Sequence, residues 1–447
     1  MAHDPSNHAP FPTGSAVQRT ERALAAIEAA GDEGRRIFTR VYARAALQAA
    51  RAADERAASG ITLGPLDGRI VSIKDLLDVA GEPTTAGSAA LRNAPPAAQD
   101  AVVVQRLRAA GCVLIGKTNM TEFAFSGIGL NPHFGTPGNA HDAARIPGGS
   151  SSGAGVSVAR GMAEIAIGTD TGGSVRIPAA FAGIAGFKPT QARVSRDGAL
   201  ALSYTLDTIG PLAASVHDCA RADAVLSGQP WQPLPVRDVA GLRIGVPRGW
   251  LLREADTAVL DAFEAALRRL SGAGARLTDL ALDEWMKAPA LLQQNGSIAA
   301  AEAAHVHREV LARAPQQLDP RVLARIVPGQ SVPAPHYIGV LRERTRLQVA
   351  FDAQLEATGV DLLALPTVPI APPCIAELER DDAAFMRANA LVLRNPSVFN
   401  FYDLPALSLP FGQAAGLPFG LMLVAPRGRD HELLALAAAI KALGTDA

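Results

Sequence analysis

Residues 148–178 read GGSSSGAGVSVARGMAEIAIGTDTGGSVRIP and carry the clearest structural signal in the chain. The small residues from Gly153 to Arg160 predict a short helix, and Gly161 is a typical helix stop. Residues 165–167, Ile-Ala-Ile, predict a buried strand that runs directly into a second glycine-rich loop. The stretch therefore predicts a helix followed by a strand, with one glycine-rich loop before the helix and another after the strand.

The same alternation of helix and strand continues on both sides of this stretch. Upstream, Val103, Val104 and Leu107 recur at helical spacing before the apolar run Cys112–Ile115. Strands are also predicted at residues 70–73, 242–246, 360–365, 407–409 and 421–424, and further helices begin at Asp256 and Asp430. Helices that alternate with short apolar strands are typical of an α/β fold in which helices cover the sheet.

The chain has no internal repeat and no disordered linker, so we predict a single domain over residues 1–447. Its first part, residues 1–60, is predicted to be helical, with helices over residues 16–30 and 36–59. Residues 275–345 are predicted to form a helical, polar and irregular segment without a strand.

The composition excludes several classes of protein. Of the 447 residues, 48% are hydrophobic and 19% are charged, which supports a large buried core and excludes wholesale disorder. The 42 basic and 43 acidic side chains give a net charge of −1, so neither nucleic acid nor an anionic membrane is an expected partner. The N-terminus, with His3, Asp4 and Asn7, lacks the pattern of a secretory signal, and no apolar run reaches the roughly 18 residues of a membrane span. Three scattered cysteines fit a reducing compartment, and we expect a cytoplasmic protein.

Glycine and serine are concentrated at residues 148–153 and again at residues 168–174. Consecutive glycines allow backbone N–H groups to converge on one point, and such a nest beside a serine hydroxyl suits acyl transfer. Taken alone, a cluster of this kind more often forms ordinary turns or cradles a phosphate. The function therefore has to be inferred from the wider set of motifs.

That wider set closely resembles the amidase signature family. The resemblance rests on Val71-Ser72-Ile73-Lys74-Asp75, Thr84–Ser88, Gly116–Phe123, Gly148–Ser151, Gly168–Pro178, Gly186–Thr190, Leu365–Thr367, Leu404–Pro410 and Gly416–Gly420. It extends from Gly64 to the terminal helix and is most specific over residues 64–190, the expected catalytic core. It implies the family's fold, a single large α/β domain whose central twisted mixed β-sheet is covered by helices on both faces.

Members of this family use a Ser–cis-Ser–Lys triad. By motif, the resemblance implies Ser174 as the acylated nucleophile, Ser150 as the bridging serine and Lys74 as the base. The peptide bond before Ser150 or Ser151 is expected to be strained. An oxyanion hole is implied at the backbone N–H groups of Thr171, Gly172, Gly173 and Ser174. The resemblance implies no metal and no cofactor.

Physical chemistry is consistent with a lysine base at position 74. A free lysine has a pKa of about 10.4, and a base that acts near neutral pH needs that pKa lowered by about 2–3. Lys74 follows Ile73 at the end of a predicted buried strand, where desolvation disfavours the charged form. Without the motif, a surface ion pair with Asp75 would be the simpler interpretation. Asp170 is predicted to be a turn residue whose carboxylate accepts hydrogen bonds from nearby N–H groups.

The substrate is expected to be a small-molecule amide or ureide that is cleaved at its C–N bond. The candidate binding residues are Ala124, Phe125, Ser151 and Arg176. Arg176 is also a candidate to anchor a carboxylate of the fold itself. Residues 275–345 are the expected specificity region, and one arginine in or beside it is a candidate to hold a substrate carboxylate. Those arginines are Arg321, Arg325, Arg342, Arg344 and Arg346.

A second candidate function comes from the same family. The glutaminase subunit of the tRNA-dependent amidotransferase has this triad but passes the ammonia that it releases to a partner subunit. Its glutamine site uses a charged pair in the C-terminal half, and the region around Arg325 and residues 400–403 matches that pattern only in part. Family members are frequently dimers, so a homodimer is also expected.

Two other interpretations are weaker. Residues 149–153 fit the G-x-S-x-G nucleophile elbow of α/β-hydrolases with Ser151 as the nucleophile, but no histidine of the chain lies in a distinctive setting. His305 and His307 lie two residues apart, so they point to different faces of a helix and cannot bind one metal together. Both histidines are predicted to face solvent.

Overall fold

The computed structural model describes residues 13–444, and within them eleven strands form one mixed β-sheet. The strands are β1 (Phe38–Val41), β2 (Ile70–Lys74), β3 (Val113–Thr118), β4 (Ile165–Asp170), β5 (Ala185–Lys188), β6 (Thr208–Ala213), β7 (Arg243–Pro247), β8 (Arg276–Leu280), β9 (Leu362–Pro366), β10 (Ala406–Ala414) and β11 (Leu417–Val424). Their order across the sheet is β1-β3-β2-β4-β6-β5-β10-β11-β9-β7-β8. β2 is parallel to β3 and β4, and β7 is parallel to β8 and β9, whereas the other neighbouring strands are antiparallel.

Sixteen α-helices in the same residues surround the sheet. They are α1 (Ala16–Ala29), α2 (Asp32–Ile37), α3 (Ala43–Ala58), α4 (Val102–Ala109), α5 (Ser152–Ala159), α6 (Arg176–Ala182), α7 (Val216–Ser227), α8 (Thr257–Gly272), α9 (Asp283–Leu292), α10 (Ile298–Val306), α11 (Arg308–Arg313), α12 (Pro320–Ile326), α13 (Ala334–Thr358), α14 (Ile375–Arg380), α15 (Asp382–Phe401) and α16 (Asp430–Ala442). None of these helices has both the length and the apolar character that a membrane crossing requires. Residues 1–12, on which the expected absence of a secretory signal depends, lie outside the described range.

The helices cover both faces of the sheet, as strand β4 illustrates. Successive residues of a strand point to opposite faces. Ile165 and Ile167 pack in the core that also contains apolar residues of α4, α7, α8 and α16. Ala166, between them, packs with residues of α5 and α6 on the other face. The predicted α/β domain with a covered mixed sheet is confirmed.

Two strands lie where the sequence predicted only helix, and both are edge strands. The predicted helix over residues 36–59 is interrupted by β1, which pairs antiparallel with β3 and buries Phe38. The predicted irregular segment at residues 275–345 begins with β8, which pairs in parallel with β7. Most residues of β8 are exposed or half-buried, so its sequence lacks the apolar run that predicts a buried strand. Edge strands depend on backbone pairing with a distant segment, and local patterns reveal that poorly.

The parallel pair β2 and β4 positions the glycine-rich loops. Val71, Ser72 and Ile73 of β2 pair with residues 165–167 of β4 in register. Because the strands are parallel, Lys74 at the end of β2 lies beside the last residues of β4. Those residues, 168–170, begin the second glycine-rich segment, which continues to residue 174. Ligands commonly bind outside the carboxyl ends of parallel strands in α/β sheets.

Candidate active site

The side chain of Lys74 contacts two hydroxyl groups in the interior of the protein. Lys74 Nζ lies 2.7 Å from Ser150 Oγ and 2.8 Å from Thr169 Oγ1. Lys74 and Ser150 have no exposed surface, and Thr169 is 5% exposed. The ion pair with Asp75, which was the simpler interpretation without the motif, does not form, and Asp75 Oδ1 lies 3.2 Å from Lys117 Nζ instead. Lys74 is therefore bound by hydroxyl groups, and no carboxylate within residues 13–444 forms an ion pair with it.

The surroundings of Lys74 favour its neutral form. Burial lowers the pKa of Lys74 to about 7, although the negative charges of Asp207 and Asp170 act in the opposite direction. Desolvation penalises the ammonium form of a lysine, and two hydroxyl contacts do not replace a counter-ion. A substantial fraction of Lys74 is then available as a free amine near neutral pH.

The run Gly148-Gly149 brings Ser150 close to neighbouring backbone. A Cβ atom at Gly149 would lie 2.6 Å from the backbone nitrogen of Gly129, so a side chain has no room there. The peptide bond between Gly149 and Ser150 is cis. The Ser150 carbonyl oxygen accepts a hydrogen bond of 3.0 Å from the backbone N–H of Thr121. The next residue, Ser151, donates its backbone N–H to the Ser174 carbonyl oxygen at 3.3 Å and so ties the two glycine-rich loops together.

The loop after β4 is organised by the buried ion pair between Asp170 and Arg176. Asp170 Oδ1 accepts from Arg176 Nη2 at 2.9 Å, and Asp170 Oδ2 accepts from Arg176 Nε at 3.0 Å. Asp170 also accepts from the backbone N–H groups of Gly173 at 2.8 Å and Val175 at 3.2 Å. Burial alone would raise the pKa of Asp170, but the Arg176 guanidinium and the hydrogen bonds hold it well below its usual range. Asp170 thus has the predicted supporting role, with Arg176 as its counter-ion.

Ser174 lies just before α6, at the wall of a cavity of about 550 Å³. Within residues 13–444, no residue forms a hydrogen bond with Ser174 Oγ or with the backbone N–H groups of Thr171, Gly172 and Ser174. Three of the four amides predicted for an oxyanion hole are therefore free. The fourth, that of Gly173, already donates to Asp170, so the prediction for Gly173 is corrected.

Asp207 supports the same loop from the side of β6. Its carboxylate accepts from Thr171 Oγ1 at 2.5 Å and from the backbone N–H groups of Leu202 and Ser203 at 2.9 and 3.0 Å. Burial raises the pKa of Asp207 to about 6, even though these hydrogen bonds stabilise the carboxylate. The contact with Asp207 therefore fixes Thr171 through its side chain and leaves its backbone N–H free.

Comparison with known proteins identifies the family to which this site belongs. The Amidase family model matches residues 18–434. The chain belongs to the Amidase family. It is similar to the 2-amino-5-chloromuconic acid deaminase of Comamonas testosteroni, with 39% identity over 409 residues, or 89% of this chain and 86% of that protein. It is also similar to a component of the glutamyl-tRNA(Gln) amidotransferase of Chloroflexus aurantiacus, with 36% identity over 443 residues, or 92% and 89% of the two chains.

The structural comparison agrees with the sequence comparison. A solved crystal structure of an amidase superimposes with a TM-score of 0.86 and 33% sequence identity, and the match covers 96% of each chain. As a member of the Amidase family, the protein with the sequence printed above is a hydrolytic enzyme that acts on C–N bonds. The nucleophile-elbow interpretation, which requires an α/β-hydrolase, is therefore wrong.

Of the four substrate-binding candidates in this amidase, two line the cavity and two do not. Ala124 and Phe125 form part of its wall beside Ser174. Ser151 is buried, and its hydroxyl donates to the Thr169 carbonyl oxygen at 3.4 Å. Arg176 is fully buried, and its charge is satisfied by Asp170. Ser151 and Arg176 are therefore withdrawn as substrate-binding candidates, and Arg176 instead anchors a carboxylate of the fold, which was its alternative prediction.

The sequence analysis missed two residues of the site, Thr169 and Asp207, and named a third, Arg325, without singling it out. Thr169, the second contact of Lys74, lies inside the quoted motif Gly168–Pro178, and its position one residue before Asp170 was an available signal. Asp207 follows a stretch without a distinctive pattern, so its contact with Thr171 could not be read from the sequence. Arg325 was one of five arginine candidates, and of those five it is the one in the wall of the cavity among the described residues.

The two histidines excluded as metal ligands differ in environment. His305 is exposed, as predicted. His307 is 2% exposed and stacks on Phe123 with ring centroids 3.9 Å apart, so the prediction that it faces solvent is wrong. Burial lowers the pKa of His307 to about 4, which keeps the ring neutral in this apolar contact.

Proposed function

We propose that this amidase cleaves a small-molecule amide or ureide through an acyl-enzyme on Ser174, with Ser150 as the bridging serine and Lys74 as the base. The observation that carries the proposal is the 2.7 Å contact between Lys74 Nζ and Ser150 Oγ in a fully buried setting. A lysine whose pKa is lowered to about 7 can accept a proton near neutral pH. The tie between the Ser151 amide and the Ser174 carbonyl holds the two serine loops side by side.

The proposed reaction uses these residues in turn. Ser174 Oγ attacks the carbonyl carbon of the substrate and gives its proton to Ser150, which gives its own proton to the neutral amine of Lys74. The C–N bond then breaks, and the proton returns from Lys74 through Ser150 to the departing nitrogen. Water attacks the acyl-enzyme by the same relay and releases the acid. The reaction consumes one water and leaves Ser174 and Lys74 in their starting forms.

The free amides of Thr171, Gly172 and Ser174 are proposed to bind the oxyanion of the tetrahedral intermediate. Preorganised N–H donors at the point where negative charge develops lower the barrier without reorganisation during the reaction. The Gly173 amide is assigned a different role, because its bond to Asp170 holds the loop in shape.

The region at residues 275–345 is proposed to set substrate specificity. It contributes residues of α9, α10 and α12 and of their connecting loops to the cavity that contains Ser174. These residues are Met286, Pro289, Ala290, Gln293, Gln294, Gly296, Ser297, Ala299, Ala300, Ala324, Arg325, Pro328 and Val332. Residues 64–190 are proposed as the catalytic core, because they supply Lys74, Ser150 and Ser174.

The similarity to an amidotransferase component favours a second candidate, a glutaminase that works with a partner subunit. Both candidates use the same three residues and differ in whether the chain acts alone and on which amide. A homodimer and a cytoplasmic location stay predictions.

The experiment measures ammonia release by the purified chain from a panel of small amides, carboxybiuret-like ureides and glutamine. Ser174→Ala and Lys74→Ala are assayed beside the wild type, and intact mass is recorded after treatment with a fluorophosphonate. Turnover of one amide that is lost in both variants, with the label on Ser174, supports the stand-alone hydrolase. Turnover of glutamine only after an amidotransferase partner is added supports the second candidate. A label on Ser151, or activity that survives Lys74→Ala, would contradict the proposed mechanism.

A further inference from the structure

Thr171 is the residue by which a side chain can hold the loop after β4. Residues 171–173 read Thr-Gly-Gly, and the two glycines have no side chain. The hydroxyl of Thr171 donates to Asp207 Oδ1 at 2.5 Å, and its backbone N–H is one of the three free amides. The position of the Thr171 amide therefore depends on what holds Asp207.

A tight turn at residues 202–207 holds the carboxylate of Asp207. Asp207 Oδ2 accepts from the backbone N–H groups of Leu202 and Ser203 at 2.9 and 3.0 Å. The Asp207 backbone N–H donates to the Ser203 carbonyl oxygen at 3.0 Å, and Ser203 Oγ accepts from the Leu206 backbone N–H at 3.2 Å. The carboxylate is thus fixed to the turn, and its position follows that of the turn.

Glu302 on α10 fastens this turn to the helices of the specificity region. Its carboxylate accepts from the hydroxyl groups of Ser203 and Thr205 and from the Thr205 backbone N–H, the last at 3.1 Å. A fourth donor is the hydroxyl of Tyr337 on α13, which lies 2.5 Å from Glu302 Oε1. Glu302 is 6% exposed and Ser203 is fully buried, so water cannot readily replace these donors.

The turn and α10 both line the cavity of about 550 Å³. Leu202 and Leu206 of the turn and Ala299 and Ala300 of α10 belong to its wall. A substrate that fills the cavity therefore contacts both of the elements that Glu302 joins. Donors act on a transition state only while supporting contacts keep them in the productive geometry.

We propose that Glu302 is a positioning residue that holds the Thr171 backbone N–H in place for the oxyanion. It acts through three hydrogen bonds in series, which join Glu302 to Ser203, Ser203 to Asp207 and Asp207 to Thr171. The inference rests on the proposed function, because the oxyanion forms when Ser174 attacks the substrate. The specificity region then contributes to the rate of the chemical step as well as to substrate binding.

The test combines substitutions at the two ends of this path. Glu302→Gln is used because a carboxamide has one acceptor oxygen and two N–H donors and cannot accept from all four donors. Thr171→Val removes the hydroxyl at the other end. The wild type, both single variants and the double variant are treated with a fluorophosphonate, and the second-order rate constant for labelling of Ser174 is measured by intact mass. The phosphoryl oxygen of this probe uses the same N–H donors as an oxyanion.

We expect each single substitution to lower the labelling rate by about 10–100-fold, because a displaced donor stabilises the transition state less. For any amide that the wild type turns over, kcat should fall by a similar factor while KM changes less than about threefold. The double variant should lose little more than either single variant, because both substitutions break the same path. Tyr337→Phe, which removes one of the four donors to Glu302, should give a smaller loss of about threefold.

The matched control is Glu82→Gln. Glu82 also accepts from a tyrosine hydroxyl, that of Tyr42 at 2.6 Å, and it is not among the described residues of the cavity wall. This variant should label within about twofold of the wild-type rate. Urea denaturation of every variant gives the fraction folded, so that labelling rates are compared for folded protein. If Glu302→Gln does not fold, Ser203→Ala takes its place, since it breaks the first hydrogen bond of the path and adds no group to the interior.

The outcomes separate this inference from the proposed function. Multiplicative effects of Glu302→Gln and Thr171→Val in the double variant, or a folded Glu302→Gln that labels as fast as the wild type, overturn the inference and leave the mechanism standing. A rise in KM without a fall in kcat or in labelling rate also overturns it, because Glu302 would then shape only the binding site. A wild type that is not labelled on Ser174 overturns the proposed function, and the inference with it.

Discussion

At the scale of single residues, the chemistry of this amidase depends on how burial changes ordinary side chains. Lys74 and Asp207 are both buried near the loop after β4, and burial moves their pKa values towards each other, to about 7 and about 6. In the proposed mechanism Lys74 is the base, and its pKa and that of Asp207 lie within the same physiological range. Titratable groups whose pKa values are perturbed in this way concentrate at functional sites.

The pH dependence of the enzyme should report Lys74. Because only the neutral amine accepts a proton, kcat/KM should fall about tenfold per pH unit below a midpoint near pH 7 and level off above it. Thr169→Val removes a hydroxyl that stabilises the ammonium form, so the midpoint should move to lower pH. The pH profiles of kcat/KM for the wild type and for Thr169→Val can be measured by ammonia release in a buffer series of constant ionic strength. A midpoint that Thr169→Val does not move would assign the titration to another group, such as Asp207.

At the scale of elements, one buried ion pair joins three pieces of chain. Asp170 ends β4, Arg176 begins α6, and Asn400 near the end of α15 contacts both of them. Asn400 Nδ2 donates to Asp170 Oδ1 at 2.8 Å, and Arg176 Nη2 donates to Asn400 Oδ1 at 2.6 Å. The loop that carries Gly173 and Ser174 lies between Asp170 and Arg176, so these contacts determine its shape.

Asp170→Asn should destabilise the protein strongly, because it leaves the Arg176 guanidinium buried without a counter-ion. The expected loss in the free energy of unfolding is about 3–5 kcal/mol, measured by urea denaturation. The rate of fluorophosphonate labelling at Ser174 should also fall, since the loop loses an anchor. The matched control is Glu343→Gln, which breaks an ion pair with Arg346 on the exposed side of α13 and should change stability little. Equal effects of the two substitutions would contradict the role given to Asp170.

Several elements near the motifs were predicted well from sequence, whereas four strands were not predicted. β2, α5 and β4 lie within one or a few residues of their predicted limits, because each buries an apolar or small-residue pattern of its own. β1 and β8 were missed, because an edge strand forms through backbone pairing with a partner far along the chain. The central strands β5 and β6 were not predicted either, because glycine or proline interrupts their short apolar runs. The inward direction of His307 was missed for a reason similar to that for the edge strands, since its stacking on Phe123 joins the end of α10 to a distant segment of the chain.

At the scale of the whole molecule, nearly equal numbers of basic and acidic side chains argue against a nucleic-acid partner. Non-specific binding to nucleic acid depends on clusters of lysine and arginine that neutralise phosphates. With 42 basic and 43 acidic residues, we expect no binding of fluorescent tRNA up to about 10 µM protein at about 0.1 M salt, measured by anisotropy. Salt-sensitive binding in that range would contradict the expectation and favour the amidotransferase-type candidate. A basic tRNA-binding protein serves as the positive control.

Short segments of the sequence were enough to predict the α/β class and the Amidase family, because each depends on local patterns, and the roles of Lys74, Ser150 and Ser174 are proposed from the same patterns. The surroundings of those residues emerged only with the tertiary structure. It paired Arg176 with Asp170, directed the Gly173 amide to a carboxylate, and placed Arg325 in the cavity wall without an ion pair among the described residues. The physical reason is that burial and the supply of partners depend on segments brought together by the sheet and its helices. No local pattern in the sequence records which arginines pair with a carboxylate in the folded protein.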